Sequence, residues 1–127
     1  MTTNKFRDWL KPQIDIGQGI TTGKLDTSKE KTVCIYNDTS EGSPVTAIGG
    51  AESYNVRSMK ILTHWGQNSN TAELHALSIY DVLKQERFFI EEKWHFIQLL
   101  CPEPIPMGTD EKGFYEFVIK LQIYYER

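Results

Sequence analysis

The amino-acid sequence predicts an α+β fold, in which a mixed, mainly antiparallel β-sheet is packed by one principal helix and a short N-terminal helix. Two observations lead to this prediction. Runs of alternating apolar and polar residues stand on both sides of one segment whose apolar residues recur at three- and four-residue spacing. An order of strands, then a helix, then strands is typical of α+β domains.

Length and composition indicate one globular domain. At 127 residues the chain has the usual size of a single domain, which we divide into a turn-rich N-terminal segment, residues 1–31, and a sheet-and-helix core, residues 32–127. The 14 Lys and Arg residues are outnumbered by 17 Asp and Glu residues. A net charge of −3 leaves no basic excess for a phosphate backbone, so we expect no affinity for nucleic acid.

The chain shows no targeting or membrane signal. Its start, Met1 to Asn4, is polar, and no apolar stretch approaches the roughly 20 residues that span a bilayer. We therefore expect an intracellular place of synthesis and no membrane partner. Cys34 and Cys101 each lie in or beside an apolar run and are interpreted as buried reduced thiols, with a disulfide as the alternative.

The first part of the chain predicts short elements. Phe6 to Leu10 has helical character and is stopped by Pro12. The glycine-rich stretch after it is interpreted as turns, with an extended hairpin as one arrangement. Thr32 to Tyr36 is β-branched and aromatic and predicts a buried strand. The polar segment Asn37 to Gly50 predicts a long loop, a kind of segment that often carries function.

The middle of the chain predicts a strand and the principal helix. Ser53 to Trp65 is extended in character. The helix is expected at about residues 70–87, with Asn70 as its cap and Glu73 completing a capping box. Its apolar stripe consists of Ala72, Ala76, Ile79, Tyr80 and Leu83.

The last part predicts a hairpin and one long strand. Phe88 to Ile90 and Trp94 to Leu100 flank the charged turn Glu91-Glu92-Lys93. After three prolines, the turn Gly108 to Gly113 leads into a strand. Its residues alternate strictly, one face carrying Tyr115, Phe117, Ile119, Leu121, Ile123 and Tyr125.

The residue types that carry chemistry do not form a recognisable constellation in the sequence. His64, His75 and His95 lack metal-ligand spacing, so we predict no metal, and we expect His64 and His95 to be ordinary strand residues and His75 to lie on the helix surface. The acidic pairs Glu91-Glu92 and Asp110-Glu111 are interpreted as solvated turns. No catalytic residue and no cofactor are therefore predicted.

Two features favour contacts between protein subunits. Arg57 lies in the middle of an apolar strand, where an unpaired charge is costly, so we predict an inter-subunit ion pair over a simple outward-facing side chain. Aromatic residues make up 12% of the chain, more than one small core is expected to need. The candidate interface residues are Arg57, Trp65, Asp110, Glu111, Lys112 and Tyr124.

A succession of motifs extends over most of the chain. It runs from Val33-Cys34-Ile35-Tyr36-Asn37 through Gly49-Gly50 and Tyr54-Asn55-Val56-Arg57-Ser58 to Ile61-Leu62-Thr63-His64-Trp65-Gly66. It continues over the principal helix and Pro104 to Gly113, so that it covers about residues 32–125. In this order and spacing, the motifs resemble the minor capsid and tail-terminator proteins of long-tailed bacteriophages. One departure is that such proteins usually begin with a longer helix than Pro12 allows here.

The resemblance implies a tail-terminator-like fold with a mixed sheet flanked by helices. It also implies a structural virion protein at the head–tail junction, which forms a ring, usually of six copies. The implied partners are further copies of the chain, the tail-tube protein and a head-completion or connector protein, while DNA only passes through the channel. The 37–50 loop and the 108–113 turn are then expected to contact neighbours or the tube.

Two other classes of function remain open from the sequence. One is a small non-enzymatic module that binds a peptide or small ligand on its sheet face. The other is an enzyme whose site converges only in the fold, from His64, Asp81 and Glu116. A cleft with shifted titratable groups distinguishes the enzyme, and a concave aromatic pocket on a monomer distinguishes the module.

Overall fold

The protein is described by a computed structural model that covers residues 1–38, 54–85 and 87–126. Two α-helices occur in these residues, α1 (Thr3–Leu10) and α2 (Ser69–Leu83), with a short 3₁₀ turn at Lys11–Gln13. The strands are β1 (Ile20–Thr22), β2 (Lys31–Asn37), β3 (Tyr54–Trp65), β4 (Arg87–Ile90), β5 (Lys93–Leu99), β6 (Ile105–Thr109) and β7 (Tyr115–Glu126).

All strands in the described part of the chain belong to one seven-stranded sheet with the order β1-β2-β3-β7-β5-β4. β1 pairs with β2 in parallel, and every other pairing is antiparallel. β5 and β6 share one edge of β7, because β6 pairs with residues 115–118 and β5 with residues 121–125. The predicted α+β class with a mixed, mainly antiparallel sheet is confirmed.

Both helices pack on one face of the sheet and form a single core with it. Phe6 and Leu10 of α1 and Ile79 and Leu83 of α2 are at most 1% exposed. They meet the side chains of alternate residues on the central strands, Val33, Ile35, Met59, Ile61, Ile119, Leu121 and Ile123. Full burial of one such side chain contributes about 1.5–3 kcal/mol. The N-terminal segment is therefore part of the same packed unit as the rest.

The predicted last strand is confirmed as β7, and its register separates the helix-covered face from a second face. Burial does not alternate strictly, because Val118 and Gln122 on the second face are also buried. The register places Lys60 opposite Lys120 and Ser58 opposite Gln122, all on the side away from α1 and α2. We call this side the second face. Towards β5 and β4 it continues through Tyr124 and Phe96, which lie opposite each other.

The bounds and cap of the principal helix differ from the prediction. Asn68, not Asn70, is the cap: its Oδ1 accepts a 3.0 Å hydrogen bond from the backbone nitrogen of Thr71, the third helical residue. Glu73 therefore lies beyond the capping-box position. The helix ends at Leu83 and not at residue 87, and Arg87 already belongs to β4.

The glycine-rich segment forms a parallel strand rather than a hairpin. Gly19 and Val33 bond through their backbones at 3.1 Å, and β1 then runs beside β2. Before it, Gly17 has φ +59° and lies against β2 and Trp65, where a β-carbon would come within 2.6 Å of the Lys31 carbonyl oxygen. Of the two free cysteines, Cys34 is buried as expected, whereas Cys101 is only partly buried.

Candidate interaction surface

The β4–β5 hairpin forms one end of the sheet. β4 lies at the edge, and within the described ranges no strand pairs with its outer side. Glu91 and Glu92 form the tight turn, and both have left-handed backbone angles, with φ of 53° and 62°. Ile90 pairs with Lys93 across this turn. The chain thus places two carboxylates at the tip of an uncovered edge.

Four aromatic side chains cluster on the second face at this end, and we call them the aromatic patch: Phe89, Trp94, Phe96 and Tyr124. Phe89, Trp94 and Phe96 are 54%, 47% and 48% exposed. Phe89 and Trp94 are cross-strand partners with ring centroids 5.2 Å apart. Contiguous exposed rings of this kind mark surfaces that bind another molecule.

A cation lies on the patch. The guanidinium carbon of Arg87 is 5.1 Å from the centroid of the Trp94 ring, within the range of a cation–π contact. Arg87 is exposed, and the described part of the chain gives it no ion pair. The patch therefore combines large apolar area with a positive charge that is available to a partner.

Hydrogen bonds anchor the inner side of the patch. The hydroxyl oxygen of Tyr124 lies 3.1 Å from Oε1 of Gln98 and 3.0 Å from Oε1 of Gln122. Gln122 in turn donates to Oγ of Ser58 at 3.4 Å. These contacts connect the patch to the central strand β3 and hold the Tyr124 ring in place.

A column of stacked rings supports the hairpin from the helix-covered face. The Trp9 and Phe88 ring centroids are 4.2 Å apart, Phe88 and His95 are 5.0 Å apart, and His95 and Tyr125 are 5.0 Å apart. Nδ1 of His95 donates to the Lys93 carbonyl at 3.1 Å. Burial lowers the pKa of His95, so its ring is neutral near pH 7. The patch is thus presented by a rigid hairpin.

Of the predicted contact turn at residues 108–113, Gly108 and Thr109 belong to β6. The rest, residues 110–113, form a turn that is held to the sheet, and we call it the clamped turn. Oδ1 of Asp110 accepts hydrogen bonds from the backbone nitrogens of Lys112 and Phe114, both at 2.9 Å. Oδ2 of Asp110 lies 2.8 Å from Nε2 of His64. Nε2 of Gln67 donates to the Lys112 carbonyl at 2.9 Å. The turn therefore presents Glu111 and Lys112, both exposed, in a fixed conformation.

His64 is a fully buried partner of this turn rather than an ordinary strand residue. Because a carboxylate only accepts hydrogen bonds, Nε2 of His64 carries the proton that it shares with Asp110. This bond is the main reason why the pKa of Asp110 is lowered. The His64 ring also meets Phe114 edge to face at 5.1 Å, and its Nδ1 atom is buried with no partner in the described residues. Sequence reasoning missed this pairing.

The structure corrects the assignments of Trp65 and His75, and it gives Arg57 a hydrogen-bond partner within its own chain. Trp65 is 3% exposed and stacks on His75 with a centroid distance of 3.4 Å, so it belongs to the core and not to an interface. His75 is also buried: its Nε2 donates to the Asp15 carbonyl at 2.7 Å, and burial lowers its pKa. Arg57 is half-buried on the helix-covered face and donates to Oγ1 of Thr3 at 3.0 Å, within its own chain.

The remaining candidates fall into two groups. Tyr124 lies in the aromatic patch, while Asp110 is turned inward and Glu111 and Lys112 are exposed on the clamped turn. Most of the predicted 37–50 loop lies outside the described residues, and only its start, Asn37 and Asp38, falls within them.

The dispersed enzyme site does not assemble as expected. His64 and Glu116 are cross-strand partners, and burial raises the pKa of Glu116. Asp81 instead lies near the end of α2, exposed, with Oδ1 3.5 Å from Nζ of Lys84. The described residues contain no group of three or more His, Cys, Asp or Glu side chains placed to hold a metal, and no helix among them is long and apolar enough to cross a membrane.

Phe89, Trp94 and Phe96 of the aromatic patch, and Arg87 beside it, were not among the candidate interface residues predicted from the sequence. A signal for them existed, because Phe88 and Phe89 are consecutive in a predicted strand and must point to opposite faces. With one face packed on α1, the second ring had to be on the other side. No protein-family model matches the chain, and no curated protein gives a significant sequence match.

Proposed function

We propose that this chain is a structural subunit of a tailed bacteriophage, a tail terminator or minor capsid protein that joins copies of itself into a ring at the head–tail junction. The motif resemblance over residues 32–125 supports this class of protein. The proposed partners are neighbouring copies, the tail-tube protein and a head-completion or connector protein, with DNA passing through the channel.

One geometric observation carries the proposal: the aromatic patch and the clamped turn lie at opposite ends of β7. The clamped turn leads directly into Tyr115, and Tyr124 stands near the other end of this 12-residue strand. At about 3.3 Å per residue, the stretch of β7 from Tyr115 to Tyr124 spans about 30 Å. A head-to-tail ring requires two different surfaces on each subunit that fit each other, and two distinct surfaces at opposite ends of one strand support this proposal.

Exposed side chains on the two surfaces support a head-to-tail contact. Beside the clamped turn, the side chain of Met107 is 58% exposed, and a methionine thioether packs well on aromatic rings. Lys112 of the turn is exposed, as is Glu126 next to the patch. We therefore assign the patch of one copy to Met107 and Lys112 of the next, with Glu126 as the counter-charge.

A second candidate function rests on a recess at the same end of the sheet. Phe96, Tyr124, Tyr125 and Glu126 line an apolar hollow of about 260 Å³. This favours the alternative of a small binding module that takes an apolar peptide side chain or small ligand on its sheet face. The ring proposal ranks above it because the module leaves the exposed Met107 and the clamped turn without a role.

Negative-stain imaging of the chain, alone and mixed with a tail-tube protein from the same phage, tests the proposal. We expect closed rings in the mixture. The double variant Trp94→Ser, Phe96→Ser removes patch area and abolishes the rings, and Met107→Ser weakens them. Leu74→Ser is the matched control, because Leu74 is 58% exposed on α2 and belongs to neither surface, and it leaves the rings intact.

Two outcomes contradict the proposal. If rings persist in the Trp94→Ser, Phe96→Ser variant, the aromatic patch does not form the contact between copies. The second outcome is a chain that forms no ring with the tube protein and binds apolar peptides as a monomer. If the Trp94→Ser, Phe96→Ser variant then loses peptide binding, the chain is a binding module instead.

A further inference from the structure

His75 of α2 is buried beneath the segment that leads from the 3₁₀ turn through β1. Residues 14–23 form this segment, and we call them the strap. His75 is 7% exposed, and its ring stacks on Trp65 with a centroid distance of 3.4 Å. Its Nε2 donates to the Asp15 carbonyl oxygen at 2.7 Å. The strap is therefore fastened to α2 through an imidazole ring.

The surroundings of this ring suit the neutral form of His75. A neutral imidazole carries one N–H, and here that N–H is bonded to Asp15. The other ring nitrogen, Nδ1, is buried and has no hydrogen-bond partner among the described residues. Protonation would place an unsatisfied N–H and a positive charge at this buried position, and both are costly. Uptake of a proton therefore opposes the closed position of the strap.

The charged groups around the ring do not offset this cost. Asp15 in the strap and Lys31 in β2 act on His75 with opposite signs. The Asp15 carboxylate is turned to its own loop, where Oδ1 accepts a 2.9 Å hydrogen bond from the Gly17 nitrogen. Trp65 of β3 is uncharged, and so are the α2 residues one turn before and after His75. Burial is the largest influence, and it lowers the pKa of His75.

The strap itself is lightly held. None of its residues is buried, and the two that pack against the core, Ile14 and Ile20, are partly exposed. Its backbone bonds alternate residues of β2: Gln18 donates to Lys31 at 2.7 Å, Val33 donates to Gly19 at 3.1 Å, and Gly23 donates to Ile35 at 2.9 Å. Segments that bury little apolar surface open at a lower free energy than the whole domain. The strap can therefore open while the sheet stays folded.

We propose that the strap is an acid-opened cover: protonation of His75 releases residues 14–23 from α2 and β2, while the rest of the sheet stays folded. Opening brings the His75 ring into water, where both of its N–H groups are satisfied. It also uncovers the Trp65 ring and the outer backbone groups of β2 at Lys31, Val33 and Ile35. This device goes beyond the proposed phage role and does not depend on it.

The direction of the pH effect follows from the two states of the strap. In the open strap His75 has the ordinary pKa of 6.5, and in the closed strap its pKa is lower. At pH 7.5 the ring is neutral in both states. As the pH falls below 6.5, the open state binds the proton first, so the equilibrium constant for opening rises until the pH reaches the pKa of the closed state.

Hydrogen exchange of single amides, followed by nuclear magnetic resonance at pH 7.5 and pH 5.0, tests the proposal. Dividing each rate by that of an unstructured chain at the same pH gives a protection factor, which reports opening. We expect the factors of the Gln18, Gly23 and Val33 amides to fall about tenfold between the two pH values. One proton and an open-state pKa of 6.5 limit the fall to about 30-fold. At both pH values these amides are expected to be less protected than that of Ile119 in the central strand β7.

Two glutamine variants assign the effect. His75→Gln keeps an N–H donor for the Asp15 carbonyl but does not titrate, and we expect it to abolish the fall in the strap amides. His95→Gln is the matched control, because it removes the other histidine whose pKa burial lowers, in the β4–β5 hairpin. We expect it to leave the fall unchanged. His75→Phe, which fills the same space without titrating, replaces His75→Gln if that variant does not fold.

Three results would overturn the proposal. The first is a strap whose protection factors are equal at pH 7.5 and pH 5.0. The second is a fall that persists in the variants without His75. The third is a strap as well protected as Ile119 at both pH values, because the strap would then open only when the whole chain unfolds.

Discussion

Nε2 of His64 lies 2.8 Å from Oδ2 of Asp110, a residue 46 positions later in the chain. This contact joins the far end of β3 to the turn before β7. The histidine side chain has no exposed surface, whereas the carboxylate also binds two backbone nitrogens of its own turn. One buried ring thus fixes the position of a surface turn, and the conformation of the exposed Glu111 and Lys112 depends on it.

Replacing His64 by alanine is expected to lower the free energy of unfolding by about 2–4 kcal/mol. The variant loses a buried ring and a hydrogen bond to a charged group, and it leaves Asp110 without its partner. Urea unfolding followed by tryptophan fluorescence measures the change. Asp81→Asn is the control, because its ion pair with Lys84 is exposed and is expected to contribute little. Equal stability of His64→Ala and the wild type would show that the contact does not hold the turn.

Stability is expected to fall as the pH drops below about 6.5. Burial lowers the pKa of both His75 and His95 from the ordinary value of 6.5. Above that value both rings are neutral in the folded and unfolded states. Below it His75 and His95 bind protons in the unfolded chain but stay neutral in the folded chain. Stability is therefore lost until the pH reaches the lowered pKa values of the folded state.

Urea unfolding at pH 7.5, 6.5, 5.5 and 5.0 measures this dependence. His75→Gln and His95→Gln each reduce the slope of stability against pH in this window, whatever they do to stability at pH 7.5. Asp26 and Asp110 have lowered pKa values, so their contributions are lost in a more acidic window, below about 4. If both histidine variants leave the slope of stability against pH unchanged, other groups cause the pH dependence.

The β4–β5 turn is expected to gain stability from residues suited to its backbone. Glu91→Asn with Glu92→Gly relieves two positive φ angles and raises the free energy of unfolding by about 1–2 kcal/mol. Thermal unfolding at a concentration where the chain is monomeric measures the gain. The control Glu91→Gln with Glu92→Gln removes the same charges but keeps the strain. A gain of equal size in the control would assign the effect to charge repulsion instead.

Local patterns in the sequence predicted the elements that depend on near neighbours. The alternation from Tyr115 to Tyr125 gave β7, and the three- and four-residue spacing from Ala72 to Leu83 gave most of α2. The cap was predicted two residues too late, at Asn70 and not Asn68, because both asparagines have suitable side chains. Only the backbone angles, φ −106° and ψ 116° at Asn68, decide between them.

The candidate site was less predictable, because it depends on contacts between distant parts of the chain. Trp65 and Trp94 are the same residue type in similar extended runs, yet His75 of α2 covers Trp65, whereas Trp94 lies on the second face. The pairing of His64 with Asp110 likewise exists only after β3 and β7 have come together. Neither outcome is encoded in a window of neighbouring residues.

Glycine is required at position 17 both by its backbone angle and by close packing, whereas at position 23 only the backbone angle requires it. Both have positive φ, +59° and +78°, so alanine is strained at either position. A β-carbon at Gly17 would also lie 2.6 Å from the Lys31 carbonyl oxygen and 2.8 Å from the Trp65 ring, whereas at Gly23 it would meet nothing within 4 Å.

Gly17→Ala is therefore expected to lower the free energy of unfolding by about 2–4 kcal/mol, and Gly23→Ala by about 1 kcal/mol. Chemical unfolding of the two variants side by side measures the difference, which isolates the cost of close packing from the cost of backbone conformation. Near-equal losses would mean that the segment at residue 17 does not lie against β2 and Trp65. The connection that leads the N-terminal segment into the parallel strand β1 would then need a different account.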